Sequence, residues 1–375
     1  MDAEKRFELI KKGTAEILTE EDLQELLKQK VFLKHYIGFE ISGKVHLGTG
    51  LMCGKKIADF QKAGIECSCY LATWHAWINN KLGGDLDNIR KGADYFKEGL
   101  KISIDVMGGD SSKVKFITGD QLYHNNDNFW LTTIEVAKNM TLKRALRAIT
   151  IMGRKEGEDV ALAGLFYTPM QVADIFVQGI NIAHAGLDQR KAQIIAREVG
   201  DKLKFMPLKH KGKIYKPVAI HHPLIMGLQS PPEWPIPKEK LDEYLSELKM
   251  SKSKPGSAVF ITDSPEEITH KLKGAFCPIG DISYNPVIDW CEKLIFVNEK
   301  SKLIVKRPQK FGGNKTYSSL EKLKEDFISK KLHPTDLKVA VAEYLIKLLE
   351  PVRKHFGQPR LKSLKEQMDK MIIGR

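Results

Sequence analysis

Residues 36–72, YIGFEISGKVHLGTGLMCGKKIADFQKAGIECSCYLA, decide the fold. Tyr36-Ile37-Gly38-Phe39-Glu40 is an apolar run of strand length, and Ser42-Gly43-Lys44 after it is a turn. His46-Leu47-Gly48 then opens a helix that runs through Leu51, Ile57 and Phe60, and Ile65 to Ala72 reads as the next strand. A strand, a helix and a strand joined by short connections argue for a parallel sheet, because a helical crossover is what parallel neighbours require. The fold class is therefore α/β.

Outward from this unit, residues 5–30 read as amphipathic helix. A second helix is predicted from about Leu86 to Met107, with Ile89, Tyr95, Phe96 and Leu100 on one face. Further helices fall around 130–152 and 170–180, and a strand and a helix flank His184-Ala185-Gly186. Residues 229–238 hold four prolines and cannot be a regular element. Ser264-Pro265-Glu266-Glu267 is a helix start, with Ser264 as N-cap, Pro265 at the first helical position and Glu267 completing a capping box. It opens a second domain. The tail from Pro334 to about Ile373 keeps helical periodicity through Leu337, Val341, Tyr344, Leu345 and Leu348, interrupted at Pro351. There is no internal repeat and no low-complexity tract.

The 375 residues suggest two or three domains. The net charge of +13 favours a polyanionic partner, nucleic acid first, against the plainer account of a lysine-rich surface. No apolar run reaches the ~18–20 residues of a membrane span, so no membrane partner is expected. The charged start, Met1 to Arg6, lacks the apolar core of a signal peptide. Five cysteines are scattered along the chain, and Cys67 and Cys69 alternate on a strand rather than forming a zinc pair. The expectation is reduced thiols and a cytoplasmic location.

No Gly-x-Gly-x-x-Gly follows the first strand, which argues against a dinucleotide site. Gly54-Lys55-Lys56 fails as a phosphate loop, since Thr49 replaces the required glycine and Lys56 the required hydroxyl. His46-Leu47-Gly48-Thr49 instead lies where a strand gives way to a helix. Helix N-termini offer unpaired N–H groups and partial positive charge to phosphate. His46 adds a donor, and Gly48 leaves room for a base or ribose. Lys249-Met250-Ser251-Lys252-Ser253 is more specific. Two ammonium groups there can converge on a pyrophosphate as its charge grows, which is electrostatic stabilisation of a transition state. A solvated basic loop is the competing account, and the pairing of the two motifs weighs against it.

With both motifs in place the chain resembles a class I aminoacyl-tRNA synthetase, and more closely the archaeal and eukaryotic tyrosyl-tRNA synthetases. The resemblance rests on Tyr36 to Glu40, Tyr167-Thr168-Pro169-Met170-Gln171-Val172-Ala173-Asp174, Gly186-Leu187-Asp188-Gln189-Arg190-Lys191, the Lys249–Ser253 loop, Phe311-Gly312-Gly313 and His333-Pro334-Thr335-Asp336-Leu337-Lys338. It implies a Rossmann-like parallel-sheet catalytic domain over 1–245 with a dimer-interface insertion around 110–150. A mobile linker bearing the lysine loop would span 246–262, and a mainly α-helical anticodon-binding domain 263–375. It departs from the class signature at Thr49, where a second histidine is usual, and from common relatives at Ile41 and Thr73.

The resemblance also implies the chemistry: L-tyrosine is activated with ATP to tyrosyl-AMP and passed to the terminal adenosine of tRNA(Tyr), with Mg²⁺ on the ATP phosphates and a homodimer as the working unit. Tyr36 and Asp174 would bracket the phenol hydroxyl, which is both donor and acceptor. Tyr167, Gln171 and Gln189 would hold the α-ammonium. His75 either lines the same pocket or is a satisfied core histidine. A site built for a hydroxyl rejects phenylalanine without editing, and tyrosyl-tRNA synthetase is the standard example. His46, Gly48, Thr49, Lys249 and Lys252 would act on the phosphates, Asp188 on the ribose, and Met250, Ser251 and Ser253 would complete the ATP loop. Arg190 would meet the acceptor end of the tRNA. Phe311 and His333 would sandwich an anticodon base, Asp336 would accept from its edge, and Cys277 and Pro278 lie in a neighbouring loop. Phe311 also reads as a core aromatic and Asp336 as an ordinary helix-start residue. A tryptophanyl-tRNA synthetase and an RNA-binding relative without catalysis are the rivals. The Tyr36–Asp174 pair disfavours the first, since an indole N–H only donates, and the lysine loop disfavours the second.

Overall fold

The computed structural model describes residues 1–240, 244, 248–251, 255–298 and 300–371. The first thirty residues are two helices, not one. Helix α1 (Ala3–Lys11) starts on Asp2, which accepts from Lys5 N, and α2 (Glu20–Lys28) starts on Thr19, which accepts from Asp22 N. Between them Glu16–Leu18 forms a three-residue strand, β1. So short a strand has no periodicity to read, and its hydrogen bonds come from a partner two hundred residues away.

The deciding stretch forms as read. Strand β2 (Lys34–Glu40) leads through a π-type turn over Gly48–Met52 into α3 (Cys53–Lys62), and β3 (Glu66–Ala72) follows. β2 and β3 pair in parallel from Lys34↔Glu66 to Glu40↔Ala72. Then come α4 (Thr73–Ile78), the long α5 (Leu86–Val106), β4 (Val114–Thr118), α6 (Gly119–Tyr123), α7 (Asp127–Lys138), α8 (Leu142–Ala148) and α9 (Gly164–Val177). Strand β5 (Ile182–Gly186), α10 (Arg190–Val199), a small hairpin of β6 (Lys209–His210) and β7 (Lys213–Ile214), and β8 (Val218–His222) complete this half. The main sheet runs β1-β8-β5-β2-β3-β4, with β1 antiparallel at the edge and the other pairs parallel. β5 and β8 are buried along their whole length, as strands covered on both faces must be. Strand order reverses between β2 and β5, and open α/β sheets bind ligands beyond the C-terminal ends of the strands at such a point.

Helix α3 lies almost wholly inside, and Gly54 explains how. A Cβ there would stand 2.9 Å from Ser103 O on α5, so only glycine lets the two backbones approach this closely. The segment 246–262, expected as a mobile linker, is anchored at two places among its described residues. Gly227 N donates to Leu248 O and Met250 N to Ile225 O, each at 2.8 Å. Leu47 N donates to Val259 O at 3.1 Å and Ile261 N to Val45 O at 3.0 Å. Ala258-Val259-Phe260-Ile261 is an apolar run, and burying it beside the Gly48–Met52 turn is more favourable than leaving it in water.

The second half is mainly helical: α11 (Pro265–Gly274), α12 (Pro286–Trp290), α13 (Leu320–Ile328), α14 (Pro334–Leu348), α15 (Glu350–Phe356) and α16 (Pro359–Lys370). The capping box on Ser264 and Glu267 is present. A hairpin of β9 (Leu303–Val305) and β10 (Lys315–Tyr317), which the periodicity did not reveal, carries the Phe311 loop at its tip. The tail after Glu350 turns back onto α5. His355 Nε2 meets Glu98 Oε2 at 3.2 Å, Lys44 Nζ meets Asp369 Oδ1 at 2.6 Å, and one hydrophobic cluster runs through both halves to Met368. Among the described residues no helix is long and apolar enough to cross a membrane, and all five cysteines are free thiols.

Candidate functional site

A pocket of about 910 Å³ opens at the C-terminal ends of β2, β3, β5 and β8, where strand order reverses. Its inner half is a buried polar network. Asp174 on α9 is fully buried; Tyr123 OH donates to its Oδ1 at 2.9 Å, and Tyr70 OH donates to Tyr123 OH. Among the described residues Asp174 Oδ2 has no partner. Burial, with no cation beside it, pushes the Asp174 carboxyl well above the usual carboxylate range. Tyr36, from β2, and His75, from α4, line the same chamber. His75 stands 3.4 Å from Tyr123 OH through Nδ1, leaves Nε2 unpartnered, and meets the Tyr167 ring edge-on at 4.5 Å. Burial holds it down to about 4, so it is a neutral imidazole.

One wall of the chamber carries amides and a phenol. Gln171 Nε2 donates to Gln189 Oε1 at 3.3 Å, and Gln189 Nε2 donates to Ile151 O at 3.0 Å. Gln171 Oε1 is buried and unpartnered. Tyr167 OH donates to Glu40 Oε1 at 3.1 Å, and Asn79 and Lys81 fix Glu40 from the other side. A cation entering here would meet Gln171 Oε1, the Tyr167 oxygen and the Glu40 carboxylate. The sequence singled out Tyr36, Tyr167, Gln171, Asp174, Gln189 and His75; the structure brings all six to one cavity. It adds Glu40, Tyr70 and Tyr123, which sequence reasoning missed. Glu40 was in view as the last residue of the strand, and an acidic strand end facing a crevice is the signal that would have found it.

The outer half brings His46-Leu47-Gly48-Thr49 and the Lys249 segment together. Thr49 N donates to His46 Nδ1 at 3.2 Å, so the ring carries its proton on Nε2, which lies 3.1 Å from Thr49 Oγ1. The threonine hydroxyl then accepts from the ring and keeps its own proton to donate elsewhere. Gly48 is pressed against Ile225, whose Cγ2 would lie 2.7 Å from a Cβ there. Lys249 reaches across the mouth to an ion pair with Asp188, and its backbone makes an antiparallel bridge with Met226. Met250 is buried and Ser251 lines the mouth. Lys252 and Ser253 lie outside the described residues. Arg154 and Lys155 add positive charge to the rim. Arg190, at the start of α10, makes a two-pronged pair with Glu16 of β1, with Nε at 2.7 Å and Nη2 at 2.9 Å.

At the far end of the helical half, Phe311 stands on the hairpin tip and is 61% exposed, which removes the core-aromatic reading. Gly312 and Gly313 follow it with φ of +93° and +69°, a backbone that glycine adopts without strain. Arg307 ties this loop to the next turn: its Nε donates to Gly313 O and its Nη1 to Lys331 O at 2.8 Å. His333 caps α14, its Nδ1 accepting from Thr335 N at 3.2 Å, and Asp336 lies one turn on. The Cys277-Pro278 loop lies beside α14, close enough for Lys338 to act on the Cys277 thiol, which burial pushes up to about 11.

The chain is similar to known proteins over nearly its whole length. The family model described as tRNA synthetases class I (W and Y) matches residues 28–350. A tyrosine–tRNA ligase of Thermococcus sibiricus is 58% identical over 359 residues, covering 95% of this chain and 96% of that protein. One from Thermococcus kodakarensis is 59% identical over the same length. The crystal structure of a tyrosyl-tRNA synthetase complexed with L-tyrosine, from Pyrococcus horikoshii, superposes with a TM-score of 0.96 at 55% identity, covering 99% of this chain and 100% of that one. A tryptophanyl-tRNA synthetase from Aeropyrum pernix, at 18% identity and a TM-score of 0.64, shares the fold alone.

Proposed function

This chain belongs to the tyrosyl-tRNA synthetases of class I, and from that premise we propose how its residues divide the ligation of tyrosine to tRNA. The observation that carries the division is the unpartnered Asp174 Oδ2 on the chamber floor. A tyrosine side chain entering the inner half donates its phenol O–H to that oxygen while its own oxygen accepts from Tyr36. Phenylalanine leaves both unpaired in a dry site, and that desolvation cost is the specificity. The α-ammonium rests on Tyr167, Gln171 and Gln189, with Glu40 behind Tyr167, and His75 packs against the ring.

The substrate carboxylate then faces the outer half. It is ionised near neutral pH, so attack on the ATP α-phosphorus needs no general base. The new C(=O)O–P bond forms as the bond to the pyrophosphate oxygen breaks, giving tyrosyl-AMP and pyrophosphate. His46, Gly48 and Thr49 cradle the phosphates at the helix start. Asp188 takes the ribose hydroxyls, and Lys249 leaves Asp188 for the departing pyrophosphate, joined by Lys252 of the same loop, with Met250, Ser251 and Ser253 shaping it. Asp188 and Glu158 at the mouth are paired with Lys249 and Arg154. The residues therefore fit Mg²⁺ carried in on the ATP phosphates, the usual habit of that ion. In the second step the terminal ribose hydroxyl of tRNA(Tyr) takes the tyrosyl group and AMP leaves.

The tRNA spans both halves. Arg190 receives the acceptor end. Phe311 and His333 sandwich an anticodon base and Asp336 accepts from its edge, with Cys277 and Pro278 beside it; stacking on exposed aromatics is how unpaired bases are read. The apolar face of α7 and α8, with Ile134 56% and Leu142 65% exposed, is the homodimer contact. The enzyme works in the cytoplasm. Pyrophosphate exchange tests the reading: exchange is expected with tyrosine and not with tryptophan or phenylalanine, and equal exchange with tryptophan overturns it.

A further inference from the structure

Three histidines on three adjacent strands form a hydrogen-bonded row under the pocket. His35 Nε2 lies 3.0 Å from His184 Nδ1, and His184 Nε2 lies 2.8 Å from His222 Nδ1. His35 and His184 are sealed in the sheet; His222 is the member that lines the cavity, beside Gly186, Asp188 and Leu224. Burial holds His35 down to about 3, His222 to about 4 and His184 well below the usual imidazole range, so all three are neutral and each carries one N–H.

Such a row has two polarities. In one, every Nε2 holds the proton, so His35 donates to His184, His184 to His222, and His222 Nε2–H faces the pocket, 3.9 Å from Cys53 Sγ. In the other, every Nδ1 holds it, and His35 Nδ1–H is a buried donor with no partner among the described residues. Orphaned buried N–H groups are rare in native proteins. The groups at the two ends choose the same polarity. At the inner end, Lys56 Nζ sits 4.8 Å over the Phe60 ring, and His35 packs on that ring at 4.6 Å. Burial holds this amine down to about 7, but it remains a donor at its tip, and an N–H pointing inward would face it unfavourably. At the outer end, a Cβ at Gly186 would stand 2.6 Å from Asp188 Oδ1 and 3.3 Å from His222 Nε2, so the carboxylate is close to that nitrogen. Its negative charge favours an N–H pointing outward. Hydrogen bonds in a row also polarise one another in the same direction.

We propose that the His35–His184–His222 row fixes His222 as a one-way donor, Nε2–H outward, which binds the ATP ribose oxygen beside Asp188. This rests on the proposed seat of ATP in the outer half. Asp188 then accepts from the ribose while His222 donates to it, and the free enzyme holds that donor in place before ATP arrives. An isolated histidine at position 222 would exchange between tautomers and present a bare lone pair part of the time. His35 and His184 act through His222 and are positioning residues.

Two measurements on the full chain test this. Long-range ¹H–¹⁵N correlation of the histidine-labelled protein, without nucleotide, is expected to show Nε2–H tautomers for all three; an Nδ1–H tautomer at His184 or His222 overturns the proposal. In tyrosine-dependent pyrophosphate exchange, His222→Leu is expected to raise the KM for ATP about tenfold, the worth of one neutral hydrogen bond of about 1.4 kcal/mol, and to leave the KM for tyrosine in place. His222→Gln, whose side-chain amide supplies a fixed donor, recovers most of that loss. An unchanged KM for ATP in His222→Leu, or no recovery in His222→Gln, overturns it. Failure of the unsubstituted enzyme to exchange with tyrosine would instead sink the seat of ATP, and the tautomer result would still stand by itself.

Discussion

Replacing Asp174 with asparagine separates what the floor carboxylate does for binding from what it costs the fold. Asparagine has the same shape. Its Oδ1 still accepts from Tyr123 OH, the 2.9 Å bond that holds the side chain now. Its Nδ2 takes the place of the unpartnered Oδ2, so an acceptor aimed into the chamber becomes a donor. The phenol O–H then has no acceptor. With the carboxyl protonated this is a neutral hydrogen bond, worth about 0.5–1.5 kcal/mol, which converts to a fall of about twofold to tenfold in kcat/KM for tyrosine. Phenylalanine never made that bond, so the preference of tyrosine over phenylalanine shrinks by a similar factor. Stability moves the other way. Because burial raises the Asp174 carboxyl in the fold, the folded state keeps a proton that the unfolded chain has released. Stability therefore falls as pH rises from about 4, the usual carboxylate value, up to the raised one. Asparagine removes that slope, so the variant melts higher than the parent at pH 8 and the gap narrows at pH 5. Exchange kinetics with both amino acids and thermal unfolding at the two pH values check this. An unchanged kcat/KM for tyrosine, or a lower melting point at pH 8, would rule out this role for Asp174.

Lys249→Ala removes one of the charges assigned to pyrophosphate, and kcat for exchange is expected to fall about a hundredfold with little change in the KM for tyrosine; a change confined to tyrosine binding counts against the assignment. Asp336→Ala should raise the KM for tRNA in aminoacylation by about tenfold, while exchange, which involves no tRNA, is unaltered. Ile134→Glu places a charge on the exposed face of α7, and sedimentation should show the dimer shifting to monomer; a dimer of unchanged affinity moves the interface elsewhere.

What could be read in advance followed from local signals. The β2–α3–β3 unit was legible because a strand, a turn and a helix start succeed one another within forty residues, and the capping box at Ser264 because its parts lie three residues apart. Strand β1 was not, since Glu16–Leu18 is ordered by pairing with Ala219–His221 and has no pattern of its own. The β9–β10 hairpin escaped for the same reason: three residues a side, with a long loop between. At the site, Tyr36, Asp174 and Gln171 came from motif resemblance, but Tyr70 and Tyr123 did not, because nothing in spacing says that β3 and α6 place two phenols in a row behind Asp174. Histidines 35, 184 and 222 are far apart in the chain, and only the sheet register, His35↔Ile182 and His184↔Ile220, makes them neighbours. Arg190 came from motif resemblance as well, but its pairing with Glu16 depends on the edge strand, which has no pattern of its own.

A crystal structure of the chain with a non-hydrolysable tyrosyl-adenylate analogue tests directly whether Asp174 and Asp188 divide the pocket between tyrosine and nucleotide. The phenol oxygen is expected between Asp174 Oδ2 and the Tyr36 hydroxyl, the ammonium on Gln171 and Tyr167, and the ribose on Asp188 with Lys249 moved away. An analogue bound with its phenol away from Asp174, or with Lys249 still paired to Asp188, would contradict that division.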